Sequence, residues 1–281
     1  MNIIDLTKYE NVYTTGDIHG EIPTLVYAIN QVKNYTNSVI IVCGDIGLGF
    51  NSELKDLNDL NKAEYQLLKN NNHLVLFRGN HDNPVMFSDR NKWKNDVHEE
   101  CPHISVIDDY TILKTTVGNI LCIGGARSVD KGNRIEGYSW WTDEQVKKAP
   151  RNFYNNLQAL KLNIRIICTH CAPSFAEPVF DTKYPGSMVE SFAMTDKTLI
   201  QDIKRDRNLL KQIYDKLDEA HKIDYWFYGH YHNHFESKHK TNNNETTLIG
   251  LDMCYTRKRC IGKDTDGKQI YKNLCDFYKI Q

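Results

Sequence analysis

No Pro-, Ser- or Gly-rich linker divides the 281 residues of this chain. With 40% hydrophobic residues, a chain of that length can bury one large core, so a single domain over 1–281 is expected. No apolar run approaches the ~18 residues of a membrane span, so no membrane partner is expected. Met1 to Glu10 holds acidic side chains and no apolar segment, so no secretory leader is read and a cytoplasmic protein is expected. A strong charge of either sign is also missing: 35 basic and 36 acidic residues give a formal net charge of −1. That balance creates no field to gather nucleic acid or an anionic surface, which disfavours a nucleic-acid partner unless a local basic patch supplies one. The eight cysteines (Cys43, Cys101, Cys122, Cys168, Cys171, Cys254, Cys260, Cys275) form no evenly spaced framework. Most are expected as buried, reduced thiols. No internal repeat is visible, and the one biased stretch, Lys238 to Glu245, reads as a polar turn before a late strand.

What is present is a series of short β-branched runs, each closing on polar residues. Val12 to Thr15 runs into Gly16-Asp17-Ile18-His19-Gly20, and Ser38 to Cys43 into Gly44-Asp45. His73 to Phe77 runs into Arg78-Gly79-Asn80-His81-Asp82, Asn163 to Cys168 into Thr169-His170, and Ile223 to Tyr228 into Gly229-His230-Tyr231-His232. Their length and their Val, Ile and aromatic content predict strands. Between them, Ile22 to Lys33, Leu57 to Leu68 and Leu199 to Ala220 repeat apolar residues at helical spacing. Ile104 to Ile107, Thr111 to Val117 and Asn119 to Ile123 read as a meander with a tight turn at Gly118-Asn119. Thr246 to Leu251 and Gln269 to Ile280 read as late strands, so residues from about 246 to 281 are expected to complete the sheets. Alternating strand and helix argues for an α/β fold, and the added strands for a second, mixed sheet facing the first.

Each polar cluster follows a strand, and in open α/β sheets that edge is where ligands bind. The residue types are carboxylates, one Asn and several His, which suit divalent cations. Asp17 and His19 are two apart, as are His230 and His232. In extended backbone such a pair points one way and can aim two donors at one place.

The series GDIHG, GD, RGNHD, TH and GHYH resembles the calcineurin-like metallophosphoesterase superfamily, from Asp17 to His232. The resemblance implies two mixed β-sheets packed as a sandwich between helices, and a metal-dependent hydrolase of phosphoric esters. It implies that Asp17, His19 and His232 hold one ion, that Asn80, His170 and His230 hold another, and that Asp45 bridges them. Two cations ~3.5–4 Å apart would clamp a phosphoryl oxygen and activate a bridging water. Mn is the first expectation, with Fe, Zn and Ni also compatible. His81 is implied as general acid or phosphate donor. Asp82 is expected to bind its other ring nitrogen and favour the imidazolium.

One departure weakens a protein Ser/Thr phosphatase reading. Where many members have GDxxDRG, this chain has Gly44-Asp45-Ile46-Gly47-Leu48-Gly49, so the phosphate-binding Arg of that subset is missing. The loop from Gly124 offers a replacement, with Arg127, Lys131 and Arg134 as candidate phosphate-binding residues. Trp140-Trp141 reads as packing or as a platform for a base. Small phosphorylated molecules or nucleotides are the favoured substrates, ahead of phosphoproteins and nucleic acid. A non-catalytic scaffold of this fold should lack ligands, and all seven are present together with His81.

Overall fold

In the run Ser38–Val42, side chains alternate between two apolar environments. Ile40 and Val42 pack with helical residues on one face, and Val39 and Ile41 pack against a second sheet on the other. His73–Phe77 repeats the pattern: Leu74 and Leu76 face helices, while Val75 and Phe77 face the second sheet. A strand buried on both faces needs apolar residues at every position, which is why these runs are continuous rather than alternating. The computed structural model describes residues 1–176, 188–254, 260–263, 269–271 and 275–281.

The strands in chain order are β1 (Ile3–Asp5), β2 (Asn11–Thr15), β3 (Ser38–Val42), β4 (His73–Phe77), β5 (Ile104–Ile107), β6 (Thr111–Thr115), β7 (Gly118–Ile123), β8 (Ile164–Thr169), β9 (Tyr225–Tyr228), β10 (Phe235–Lys240), β11 (Glu245–Gly250), β12 (Cys260–Lys263), β13 (Gln269–Tyr271) and β14 (Tyr278–Lys279). The α-helices are α1 (Ile22–Tyr27), α2 (Glu53–Lys69), α3 (Lys92–Glu100), α4 (Phe153–Ala159), α5 (Met188–Ala193) and α6 (Leu199–Asp218). One sheet has the order β14-β2-β3-β4-β5, the other β1-β6-β7-β8-β9-β11-β10. The pairs β2–β3, β3–β4 and β4–β5 are parallel, as are β7–β8 and β8–β9. Their C-terminal ends therefore point the same way within each sheet.

The molecule has four layers. Helices α1, α2 and α3 cover the five-stranded sheet through Leu25, Leu60, Leu67 and Val97. Helices α4 and α6 cover the seven-stranded sheet through Phe153, Leu157, Leu210 and Leu217. Between the sheets lie Val12, Ile41, Phe77, Ile120, Ile166, Phe227 and Ile249. Each fully buried side chain of this kind contributes about 1.5–3 kcal/mol. Cutting one of the central ones to Ala would cost about 2–5 kcal/mol.

Several local expectations shift. Helix α2 starts at Glu53 rather than Leu57, because Ser52 caps it by accepting from the Lys55 N–H. Helix α1 gives way at Ala28–Val32 to a wider π-turn. The expected meander is divided: β5 ends the first sheet, whereas β6 and β7 belong to the second. Their connection is Thr116-Val117, and Gly118 is the first residue of β7, opposite Thr115. Late strands β11 and β14 join the two sheets, while β12 and β13 pair with each other alone. Residues 272–274 of the expected late run lie outside the described residues. Cys43, Cys101, Cys122, Cys168 and Cys171 are buried free thiols, whereas Cys254 and Cys275 are joined by a disulfide. The side chain of Cys260 is outside the described part. Among the described residues, no helix is long and apolar enough to cross a membrane.

Candidate metal centre

The site is built where five strands stop. Asp17 and His19 follow β2, Asp45 follows β3, Asn80 and His81 follow β4, His170 follows β8, and His230 and His232 follow β9. At these points the chain turns rather than continuing extended. His19, Asp45, His230 and His232 have φ of 44°, 49°, 71° and 50°, in the left-handed region that side-chain-bearing residues seldom adopt. Such conformations cost of order 1–3 kcal/mol each and gather where geometry serves a site. Backbone bonds hold them: His19 N–H donates to the Asp45 carbonyl at 2.8 Å, and Gly20 N–H to that of Ile46 at 2.7 Å. Glycine is required beside them by close approach. A Cβ at Gly79 would overlap Asp45 Oδ1, and one at Gly229 would overlap Asp17 Oδ1.

Two donor groups converge there. Asp17, His19, Asp45 and His232 each aim one atom into a region where all lie within 4.8 Å of one another, and so do Asp45, His170 and His230. Asp45 belongs to both. In the first group the Nε2 atoms of His19 and His232 lie 3.1 Å apart, and His232 Nε2 is 2.9 Å from Asp17 Oδ2. In the second, His170 Nε2 sits 3.1 Å from Asp45 Oδ1 and 3.0 Å from Asn80 Oδ1. Each carboxylate gives one oxygen to the backbone: Asp45 Oδ1 accepts from His81 N–H at 2.7 Å, and Asp17 Oδ1 from His230 N–H at 2.8 Å. The other oxygen of each faces the first group. Asp17 Oδ2 is buried there with no hydrogen bond of acceptable angle. His170 Nδ1 lies 2.8 Å from the Cys43 carbonyl, which can only accept, so this nitrogen carries a proton and Nε2 is the atom turned toward Asp45 and Asn80.

The electrostatics fit a cation. Burial alone would raise the Asp45 carboxyl, but His170 and His81 hold it well below the usual range. Asp17 is lowered against its burial mainly by His170. Burial opposes charge on His170, yet Asp45 and Asp17 carry its pKa up to about 10. Burial and the His170 charge push His230 down to about 3, so it stays a neutral donor. Two buried carboxylates, four imidazoles and an amide oxygen around one space make a donor set suited to divalent cations.

Residues 11–234, most of the chain, match the model of the calcineurin-like phosphoesterase family. The chain belongs to that family. No curated protein sequence matches it. Among solved structures, the protein TT1561 of Thermus thermophilus is similar at 11% identity and TM-score 0.49, over 87% of this chain and 90% of that one. A protein serine/threonine phosphatase from Saccharomyces cerevisiae is similar at 9% identity and TM-score 0.33, over 100% of this chain and 83% of that one. A cold-active protein-tyrosine phosphatase of a psychrophilic Shewanella is similar at 12% identity and TM-score 0.33, over 90% of this chain and 73% of that one. Likenesses this distant carry no argument about the site. Membership of the calcineurin-like phosphoesterases makes the chain a phosphoester hydrolase of a kind that binds divalent metal, in agreement with its Asp/His clusters.

Around the Asp/His clusters, this phosphoesterase differs from its sequence reading in three ways. The paired residues Asp17/His19 and His230/His232 are aimed by turns with left-handed residues, not by extended backbone, because the strands have already ended. Asp82 does not touch His81. Its buried carboxylate accepts from the N–H groups of Ile46 (3.1 Å), Gly47 (2.8 Å), Leu48 (2.9 Å) and Gly79 (2.7 Å). It pins the turns after β3 and β4 together, although burial and the nearby Asp45 charge raise its pKa to about 7. His81 instead meets Arg134, whose terminal nitrogen lies 2.9 Å from Nε2 and 3.4 Å from Nδ1. Burial and that guanidinium lower the His81 pKa, although Asp45 opposes them, so the expected support for an imidazolium is reversed.

The third difference concerns the basic loop. Arg134 reaches the site, steadied by Asp130 at 2.8 Å and the Ser139 carbonyl at 3.1 Å. Arg127 and Lys131 do not. Arg127 Nε lies 3.3 Å from Asp206, and Lys131 Nζ lies 2.8 Å from Asp196 and 3.8 Å from Asp202, so both tie the loop to α6 and the turn before it. Arg78, buried, pairs with Asp109 at 2.6 Å and does not face the site. Sequence reasoning missed Phe50. Its half-buried ring lies roughly parallel to His81 (centroids 6.4 Å, 29°) and edge-on to buried Trp141 (5.1 Å, 84°). Its position five residues beyond Asp45 was the available signal, but no spacing rule singles it out.

Proposed function

We propose that this phosphoesterase hydrolyses phosphate mono- or diesters of small phosphorylated molecules or nucleotides, using two divalent cations, manganese first among Mn, Fe, Zn and Ni. Asp17, His19 and His232 would hold one ion, Asn80, His170 and His230 the other, with Asp45 shared. The observation that carries this reading is the pair of donor groups that have Asp45 in common. Such ions would supply Lewis acidity to phosphoryl oxygens and a bound water more acidic than bulk.

The chain's own residues do the remaining work. Arg134 presents a fixed positive charge beside His81, where it can grip non-bridging phosphate oxygens. In the free protein this charge disfavours the imidazolium. An incoming phosphate brings negative charge next to both groups, which favours a proton on His81. His81 then holds that proton at a ring nitrogen for the leaving oxygen. Phe50 offers a flat apolar surface to the leaving group, and this supports nucleotides among the small substrates.

Metal-stripped protein should be loaded with Mn²⁺ and assayed on p-nitrophenyl phosphate and on bis(p-nitrophenyl) phosphate. Metal-dependent turnover of at least one is expected, and the preferred ester separates monoesterase from diesterase. Protein that binds two ions yet turns over neither ester, with Mn, Fe, Zn or Ni, would overturn the catalytic reading in favour of a binding module.

A further inference from the structure

A carboxamide has two ends of nearly equal shape, and only its oxygen can face a cation. Asn80 therefore serves as a ligand only if something distinguishes one orientation from the other. We infer that Ser128 and Glu144 make that distinction, acting as positioning residues for the second ion. This rests on the two-cation reading above.

Both residues are buried, Ser128 to 1% exposure and Glu144 to 0%. Glu144 Oε1 accepts from the Ser128 N–H at 2.9 Å, and Oε2 accepts from the Ser128 hydroxyl at 2.6 Å. Burial raises the Glu144 pKa and the two Ser128 bonds oppose that rise; the ionised carboxylate takes the one proton of the hydroxyl. Ser128 Oγ is left able only to accept, and it accepts from Asn80 Nδ2 at 3.0 Å. Asn80 Oδ1 must then point the other way, where it lies 3.0 Å from His170 Nε2 among the ligands. The flipped amide would set two oxygens against each other with no proton between them, and would turn an NH₂ group toward the ions.

Glu144 is itself anchored from the ligand's own turn. Its carbonyl accepts from Arg78 at 2.8 Å and from the Ala126 N–H at 3.1 Å. Arg78 is two residues before Asn80 and is locked by Asp109, whose second oxygen accepts from the Gly124 N–H at 2.9 Å. The turn after β4 thus carries both the ligand and, through Arg78, the hold on the group that orients it.

The test is a Mn²⁺ titration of metal-free protein, reading stoichiometry and the affinity of each ion, with melting temperature recorded in parallel. Wild type should bind two ions. Ser128→Ala should weaken one of them about 10–100-fold and leave the other unchanged, the range seen when an outer partner of a ligand is lost. Ser128→Thr keeps the hydroxyl and should return that affinity to within about threefold of wild type. Glu144→Gln frees the serine proton and should also weaken one ion only; it carries the test should Ser128→Ala fail to fold. Wild-type affinity at both ions in Ser128→Ala, or in Glu144→Gln where that variant carries the test, would overturn the inference alone. A wild-type protein that binds fewer than two ions would overturn the two-cation reading and this inference with it.

Discussion

At the strand ends, carboxylates and imidazoles crowd into one space, where Asp17 faces His19, His170 and His232, and Asp45 faces His19 and His170. In the segment from Gly124 to Glu144, several charges are directed away from that space: Arg127 to Asp206, Lys131 to Asp196 and Glu144 to Ser128. Arg134 differs from these, since it is paired with Asp130 and yet lies against His81. The two regions border one site but use charge differently. In the cluster several charges share one another, whereas in the loop Arg127 and Lys131 are directed to acids on or just before α6. Charge near a site therefore says little about contact with substrate until its partner is known.

The contrast can be broken most sharply at Asp45. Asp45→Asn removes a carboxylate shared by both donor groups, and kcat/KM should fall on the order of 10³-fold with the fold retained by circular dichroism. Full activity in that variant would mean that the cluster is not the reacting centre. Asp82 tests the other side. Asp82→Ala strips the acceptor from four backbone N–H groups and should cost about 3 kcal/mol in urea unfolding. A loss of activity without loss of stability would instead restore it as a partner of His81.

Within the loop, Arg134→Ala should lower kcat/KM on the order of 10²-fold, while Lys131→Ala should stay within about threefold and lose under about 1 kcal/mol of stability. Equal losses of activity would erase the division between gripping and bracing residues. The smallest expected effect is at the far end of β4. His73 is buried like His170 but faces Tyr9 and Ser105 rather than carboxylates. Burial, with the charge of His103, pushes its pKa down to about 3. The folded value lies below the unfolded one, so its contribution is full above about pH 6.5 and is lost as pH falls toward 3, by at most about 1.4 kcal/mol per unit. Urea unfolding between pH 6.5 and 4 should therefore show a shallower loss for His73→Gln than for wild type. Parallel curves would mean that the ring does not control this range.

Much of the site was legible because its residues sit directly after strands, and strands are recognised from short local runs. Asp17, Asp45, Asn80, His170 and His230 were singled out by that adjacency together with the motif series that resembles the family. Asp82 was misread because its four partners are backbone groups, which carry no sequence signature. Arg127 and Lys131 were misread because their partners lie on or just before α6, more than sixty residues along the chain. Ser128 and Glu144 were invisible for the same reason, since only the packing of β7 beside the turn after β4 brings them to Asn80.

By itself, the sequence determined the layered α/β class, the polar clusters at the strand ends and, through its resemblance to a known family, the chemistry of a divalent-metal phosphoesterase, because each rests on local periodicity or on short motifs in series. The tertiary structure alone decided which basic residue meets His81, what the Asp82 carboxylate binds, and which groups lie against Asn80. Those outcomes depend on distances between segments far apart in the chain, and no local pattern encodes them.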